Sequence, residues 1–255
     1  MPKVLRNVLI AALALVVIVI GGLALVYRSI DRADGHLVSG DVERAYVLHV
    51  PAKVRASTPV PLVISLHGFT EWPAHLQKMS RWDALADEQG FIVVYPSGTS
   101  FPKRWRGNGS ADAAGTATDV QFIADLIDAL SRQYAIDAKR VYVNGLSNGG
   151  GMTAVLGCQL ADRIAAIGTV AGAYAMPLSE CKPSRPVPAM VFHGTTDPIV
   201  PFKGGAAGPP GMKLPDITTW VSDRAALNGC NPQPTESQAA ASVTLRRYTD
   251  RKSVV

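Results

Sequence analysis

Two glycines frame one serine of the chain, each two residues away. The pentapeptide Gly-Leu-Ser-Asn-Gly covers residues 145–149 and follows the apolar run RVYV at residues 140–143. A serine on a tight strand-to-helix turn needs small residues at both flanking positions, because larger side chains would clash there. The pattern predicts that Ser147 is a nucleophile and that the backbone N–H of Asn148 is an oxyanion donor. A glycine-rich turn without chemistry is the alternative.

A second strand end carries a His-Gly pair. The segment SLHGF, residues 65–69, closes an apolar run. In hydrolases with a glycine-framed serine, the loop after such a pair supplies a second oxyanion N–H group. We assign this donor to Phe69, with Thr70 as the alternative. We expect His67 to brace the loop rather than to transfer protons.

A third strand end carries an acid. Asp197 lies in FHGTTDPIVP, residues 192–201, just past an apolar run. This is the place of the acid in the chain order Ser, Asp, His, where it orients an imidazole. A loop-capping aspartate is the alternative for Asp197. His193 precedes Gly194 at the strand end, and we interpret it as structural.

Buried strands that alternate with helices must position these residues. Short apolar runs bounded by glycine or proline indicate strands buried on both faces, and they cover residues 59–68, 90–96, 140–145, 164–172 and 187–194. Residues 118–134 have apolar side chains at helical spacing, with Thr118 or Asp119 as the expected N-cap. The alternation predicts an α/β fold whose mostly parallel sheet has helices on both faces.

The N-terminal segment differs in composition from the rest. Residues 8–27 are apolar and uncharged, and Lys3 and Arg6 precede them. We expect residues 1–28 to be a transmembrane helix that anchors the protein, rather than a cleaved signal peptide. Residues 29–42 are predicted to be a linker and residues 43–249 a catalytic domain. The net charge is +5 with scattered basic residues, and this pattern argues against a nucleic-acid partner.

The chain has three cysteines. We expect Cys158 to pair with Cys181, since both lie near one stretch of the predicted sheet and an exported protein permits disulfides. Cys230 lies outside this pair. The alternative is that all three are buried thiols.

Several segments together resemble the extracellular polyhydroxybutyrate depolymerase and feruloyl esterase family. They lie between Arg44 and Tyr248 and read PLVISLHGFTEWP, GFIVVYPSG, YVNGLSNGGGM, AAIGTVAG, VPAMVFHGTTDPIVPF and WVSDRAALNGC. The resemblance implies an α/β-hydrolase fold, an extracytoplasmic location (secreted or membrane-anchored), and hydrolysis of polymeric or small carboxylic esters without a cofactor or metal. It places the nucleophile on Ser147 and the acid on Asp197. It also implies that Trp105 lines the cleft, although a partly buried loop tryptophan is an equal alternative.

The catalytic histidine of this family has no counterpart here. The family carries it on a glycine-rich loop after a further strand, whereas the five histidines of this chain all precede Asp197. The family's expected partner of Cys230 also comes after this point. We therefore expect a C-terminally truncated, nearly inactive chain that lacks the last strand and the histidine loop. Residues 250–255, DRKSVV, match one reading frame of a common sequencing adapter and are predicted to be an artefact.

Two other functions stay open at this point. A serine peptidase of the prolyl-oligopeptidase type shares the glycine-framed serine, but a propeller-sized N-terminal domain is absent. A membrane-anchored, non-catalytic binding protein built on a hydrolase fold is the other alternative. Polyester, feruloylated polysaccharide and cell-envelope lipid all stay open as the ester that is cleaved.

Overall fold

The computed structural model describes residues 3–55, 57–107, 109–208 and 212–249, and a seven-stranded sheet lies at its centre. The order across the sheet is β1-β2-β4-β3-β5-β6-β7. The pairs from β4 to β7 are parallel, whereas β1–β2 and β2–β4 are antiparallel. The strands are β1 (Gly35–Ser39), β2 (Val42–His49), β3 (Val60–Leu66), β4 (Ile92–Pro96), β5 (Ile136–Leu146), β6 (Ala166–Val170) and β7 (Ala189–Phe192). The predicted α/β fold with a mostly parallel sheet is confirmed.

Helices cover both faces of this sheet. Successive side chains of a strand point to opposite faces, and β3 shows this directly: Leu62 and Ile64 belong to the main core with α4 and α5, while Val63 packs with residues of α2 and α3. The helices are α1 (Lys3–Ile30), α2 (Pro73–Ser80), α3 (Trp82–Gln89), α4 (Ala113–Gln133), α5 (Asn148–Gln159) and α6 (Ile217–Leu227). Short 3₁₀ turns cover Gly109–Asp112 and Leu178–Glu180.

Helix α4 begins earlier than the sequence pattern indicates. Its N-cap is Asp112, whose side chain accepts a hydrogen bond from the Gly115 N–H group. The prediction that Thr118 or Asp119 caps the helix is therefore wrong. Asp119 lies inside the helix and is buried, because its carboxylate has a partner on a distant strand.

Residues 29–42, predicted to be a linker, contain a strand of the sheet. Strand β1 pairs antiparallel with β2. Leu37 packs against the main core, and the hydroxyl of Ser39 donates to Asp125 Oδ2 on α4 at 2.7 Å. The linker prediction is wrong here because these contacts join positions far apart in the sequence.

The N-terminal residues form α1. Within the residues that the structure describes, none of the helices combines the length and the apolar character needed to cross a membrane. The anchor predicted at residues 1–28 is therefore not supported by the structure.

Two small sheets complete the described chain. Strands β8 (Gly205–Ala206) and β9 (Lys213–Leu214) pair with each other, as do β10 (Thr235–Ala240) and β11 (Val243–Arg247). The side chains of β10 and β11 are exposed. Across the described ranges the central sheet ends at β7. The adapter sequence predicted at residues 250–255 lies outside the described residues.

Candidate active site

The glycine-framed serine lies on the turn between β5 and α5. Ser147 has φ 53° and ψ −115°, a left-handed conformation that is strained for a side chain with a Cβ. A Cβ on Gly149 would lie 2.3 Å from the carbonyl oxygen of Leu66, and a Cβ on Gly145 would lie 2.3 Å from that of Gly149. Only glycine fits at either position. The backbone has the geometry expected of a nucleophile elbow, and the catalytic role of Ser147 stays a prediction.

Hydrogen bonds fix the backbone of Ser147 from two sides. Its N–H group donates to the carbonyl of Val170 at the end of β6, at 2.9 Å. Its own carbonyl accepts from Gly151 in α5 and from Ala173 in the loop after β6, both at 3.0 Å. The Ser147 hydroxyl has no hydrogen-bond partner within the part of the chain that the structure describes. The turn therefore holds the backbone in place and leaves the hydroxyl available.

The side chain of Asn148 clamps the loop that carries Trp105. Asn148 Oδ1 accepts from the Trp105 N–H group at 2.7 Å, and Asn148 Nδ2 donates to the Trp105 carbonyl at 2.9 Å. The indole is only 2% exposed and packs 5.3 Å from His67 and 6.4 Å from Phe122, measured between ring centroids. The prediction that Trp105 lines the cleft is therefore wrong. The backbone of this residue faces the elbow, while its ring belongs to the core.

A buried ion pair, which no local sequence pattern indicates, supports the same loop. Arg44 Nη2 of β2 lies 2.9 Å from Asp119 Oδ1 of α4, and the other oxygen of Asp119 accepts from the Arg106 N–H group at 2.8 Å. Both side chains are buried, so their charges attract each other with little screening by water. The Arg44 guanidinium also lies 3.9 Å from the ring centre of Phe122. Burial raises the pKa of the Asp119 carboxyl, and Arg44 opposes this rise.

The loop after β3 presents one unoccupied N–H group. Gly68 donates its N–H to Glu71 Oε2, and Thr70 donates its N–H to the carbonyl of Lys103, both at 2.9 Å. The Phe69 N–H group makes no hydrogen bond to any residue that the structure describes. Of the two candidates for the second oxyanion donor, Phe69 has an available N–H group, whereas the N–H group of Thr70 is engaged.

His67 braces this loop from within. Its Nδ1 lies 2.7 Å from the Gly68 carbonyl oxygen, and its Nε2 accepts from the Gly98 N–H group at 2.9 Å. These partners require a neutral ring that is protonated on Nδ1. Burial lowers the pKa of His67 to about 4. This histidine is therefore neutral at pH 7 and is occupied at both nitrogens.

The predicted acid lies in the turn after β7. Asp197 Oδ1 accepts from the N–H groups of Ile199 and Val200, each at 2.9 Å. Burial acts to raise the pKa of Asp197, but these hydrogen bonds and nearby His193 outweigh it, so the pKa lies below its ordinary value. His193 Nε2 lies 2.8 Å from the Val200 carbonyl oxygen and 3.8 Å from Asp197 Oδ2. The carboxylate is thus ionised at neutral pH and held by its own turn.

None of the five histidines is hydrogen-bonded to Ser147. His67 and His193 bond to backbone carbonyls, and His49 pairs with aspartates of α3. His75 lies beside Glu71, and His36 is exposed on β1. The structure brings no imidazole of the described chain to the Ser147 hydroxyl.

Cys158 and Cys181 form the predicted disulfide, which joins α5 to the segment before β7. The alternative of three thiols is therefore wrong. Among the described residues, no group of three or more histidine, cysteine, aspartate or glutamate side chains could hold a metal ion.

The family described as esterase PHB depolymerase matches residues 44–180. The bifunctional acetylxylan esterase/xylanase of Neocallimastix patriciarum is 37% identical over 156 residues, which are 61% of this chain and 22% of the fungal protein. Feruloyl esterase B of Piromyces equi is 30% identical over 201 residues, 76% of this chain and 37% of that protein. The chain therefore spans well under half the length of these relatives.

A solved structure supports the fold. The crystal structure of a thermostable esterase matches with a TM-score of 0.54 at 20% identity, covering 76% of this chain and 51% of that one. At this identity the likeness concerns the fold alone, a mostly parallel sheet with helices.

Proposed function

Because the chain belongs to the esterase PHB depolymerase family, we propose that it is built to hydrolyse carboxylic esters through Ser147. One observation carries the proposal. Ser147 has a strained, positive φ on a turn where only glycine fits at the positions two residues before and two residues after it. Such strain persists only when the surrounding structure imposes it, and it clusters at active sites. Its purpose in this turn is to present a hydroxyl at the N-terminus of α5.

The chemistry is two-step acyl transfer. The Ser147 oxygen attacks the ester carbonyl, and the N–H groups of Asn148 and Phe69 stabilise the oxyanion that forms. The positive end of the α5 helix dipole adds to this stabilisation. The alcohol leaves, and water then hydrolyses the acyl-enzyme.

Proton transfer is the step for which the described residues place no histidine at Ser147. Asp197 is ionised and would orient an imidazole, but each of the five histidines is placed without a hydrogen bond to Ser147. We infer that no histidine of the described chain removes the proton of the Ser147 hydroxyl, so this hydroxyl is a weak nucleophile. Loss of a triad member can lower turnover on the order of a millionfold, so we expect very slow hydrolysis by the 255 residues alone.

Added imidazole tests both parts of the proposal. Hydrolysis of p-nitrophenyl butyrate is followed with and without imidazole, after subtraction of the protein-free rate. We expect a slow rate that rises with imidazole concentration, because the free base replaces the missing group. Ser147→Ala should abolish the protein-dependent rate, whereas Ser237→Ala, on the exposed strand β10, should leave it unchanged.

Two results would contradict the proposal. An imidazole-dependent rate that survives Ser147→Ala removes Ser147 as the nucleophile. If the protein alone, with no added imidazole, turned over the ester at a rate typical of a complete triad, the inference that it lacks a base at Ser147 would be wrong. A p-nitroanilide peptide assayed in parallel separates the peptidase alternative, since cleavage of the anilide in preference to the ester would favour a peptidase.

We further propose an extracytoplasmic location. The disulfide between Cys158 and Cys181 supports it, because disulfides persist in oxidising compartments and are rare in the cytosol. The relatives are named for acetylxylan and feruloyl esters, and we propose esters of these polysaccharide-linked types as substrates to assay, with poly(3-hydroxybutyrate) as the third. Release of acetate, ferulate or 3-hydroxybutyrate measures each.

A further inference from the structure

A buried arginine of α6 contacts both sulfurs of the disulfide. Arg224 is 2% exposed, and its Nη1 lies 3.1 Å from Cys158 Sγ and 3.3 Å from Cys181 Sγ. Its Nη2 donates to the carbonyls of Gly157 and Val187 at 3.2 and 3.4 Å. No carboxylate of the described chain pairs with Arg224, and its Nε lacks a hydrogen-bond partner. Burial lowers the pKa of Arg224 with no opposing acid.

This arrangement leaves a cation poorly compensated. Buried charges are normally paired with an opposite charge, and a disulfide sulfur is only a weak acceptor. A thiolate at the same place would carry a full negative charge against the guanidinium. Hydrogen bonds between ionised partners are roughly twice as strong as neutral ones. The site therefore matches the opened form of the disulfide better than the closed form.

A surface cavity lies beside one of the two cysteines. It measures about 570 Å³ and is lined by Cys158, Gln159, Asp162, Glu180, Lys182 and Ser184. Cys181 does not line it; both cysteines are buried, Cys158 at 6% exposure and Cys181 at 3%. An attacking thiol would thus meet Cys158 first, while Cys181 stays beside Arg224.

We propose that the Cys158–Cys181 disulfide is a thiol-exchange site for small thiols, with Cys158 as the attacked sulfur. A thiolate RS⁻ displaces Cys181: the new bond forms between the incoming sulfur and Cys158 Sγ, and the old bond breaks. Its electron pair leaves on Cys181 Sγ as a thiolate beside Arg224. Charge and atoms balance in this step. A second thiolate that attacks the mixed disulfide yields RSSR and the thiolate of Cys158, which completes the reduction.

A purely structural role of Arg224 predicts the opposite response to mutation. If Arg224 only ties α6 to α5 and β7, its removal loosens this region and makes the disulfide easier to reduce. If its charge favours the thiolate, removal makes the disulfide harder to reduce. The sign of the change therefore separates the two roles.

The experiment equilibrates the folded protein with mixtures of reduced and oxidised dithiothreitol, and alkylation with mass spectrometry gives the reduced fraction. For Arg224→Met we expect the equilibrium constant for reduction of the disulfide to fall about tenfold. This corresponds to a reduction potential that is lower by about 30 mV. Arg224→Lys keeps the positive charge, so the equilibrium constant should fall less in this variant. Arg185→Met is the matched control, because Arg185 also donates to carbonyls nearby but contacts neither sulfur; it should leave the constant unchanged. An unchanged or raised constant in Arg224→Met overturns the proposal.

A second measurement tests the side of attack without any mutation. Reduced glutathione is added, the mixture is acid-quenched and alkylated, and peptides are mapped. We expect glutathione on Cys158 and the alkyl group on Cys181. Adducts mainly on Cys181 would overturn the assignment of Cys158.

Discussion

Removing the carboxylate of Asp119 should strongly destabilise the fold. Its partner Arg44 is 2% exposed and Asp119 itself 1%, so Asp119→Ala leaves a buried cation unpaired. It also leaves the Arg106 N–H group without its acceptor. Breaking a buried pair in this way costs about 3–5 kcal/mol. We therefore expect Asp119→Ala to lower the free energy of unfolding by about 3–5 kcal/mol.

Urea unfolding followed by circular dichroism measures this change, and α4 supplies its own control. Asp128 pairs with Arg163 on the surface and is 51% exposed, so Asp128→Ala should cost less than about 1 kcal/mol. Replacing both members of the buried pair, as in Arg44→Met with Asp119→Leu, should recover much of the loss, since no charge is then orphaned. If Asp119→Ala is no more harmful than Asp128→Ala, the reasoning about the buried pair is refuted.

Two further predictions concern the strand ends around the elbow. Burial holds the pKa of His67 at about 4, below its unfolded value of about 6.5. The unfolded chain therefore binds more protons between these values, and stability should fall by on the order of 3 kcal/mol as the pH drops from about 6.5 to about 4. Urea titrations at several pH values should show a smaller drop for His67→Gln than for the parent chain. Gly149→Ala should distort the elbow and lower stability by several kcal/mol, on the order of a severe overpacking change, because its Cβ meets the Leu66 carbonyl at 2.3 Å. Gly168→Ala, whose Cβ would make ordinary contact at 3.5 Å, should melt within a few degrees of the parent chain.

Local patterns were enough to predict the frame of the site. A glycine-framed serine after an apolar run implies a strand, a turn and a helix from neighbouring residues alone, and the structure has β5, Ser147 and α5 in that order. Strands β3 and β4 are buried as the same kind of short-range pattern predicts. The prediction that residues 187–194 are buried on both faces is wrong, because β7 is the edge strand of the described sheet and Met190 and Phe192 are exposed.

Features that depend on distant partners escaped prediction. Asp119 looks like a helix cap in the sequence, because its partner Arg44 is 75 residues away and nothing local indicates the pair. Trp105 looks like a cleft aromatic, because the sequence cannot show that Phe122 and His67 enclose its ring. The strand β1 was missed for the same reason, since its burial comes from α4 and β2 rather than from its own composition.

The clamp between Asn148 and residue 105 has a consequence for how this protein can change over evolution. Asn148 holds the backbone N–H and the backbone carbonyl of one residue, which every residue except proline offers in full. A mutation at position 105 therefore leaves the anchoring of the elbow intact, provided that the core accepts the new side chain. The position next to the serine, in contrast, must keep an amide that both donates and accepts. Positions around the site should therefore differ in their tolerance to substitution. Residue 105 can change as far as the core allows, whereas residue 148 must stay asparagine or another side chain with an amide.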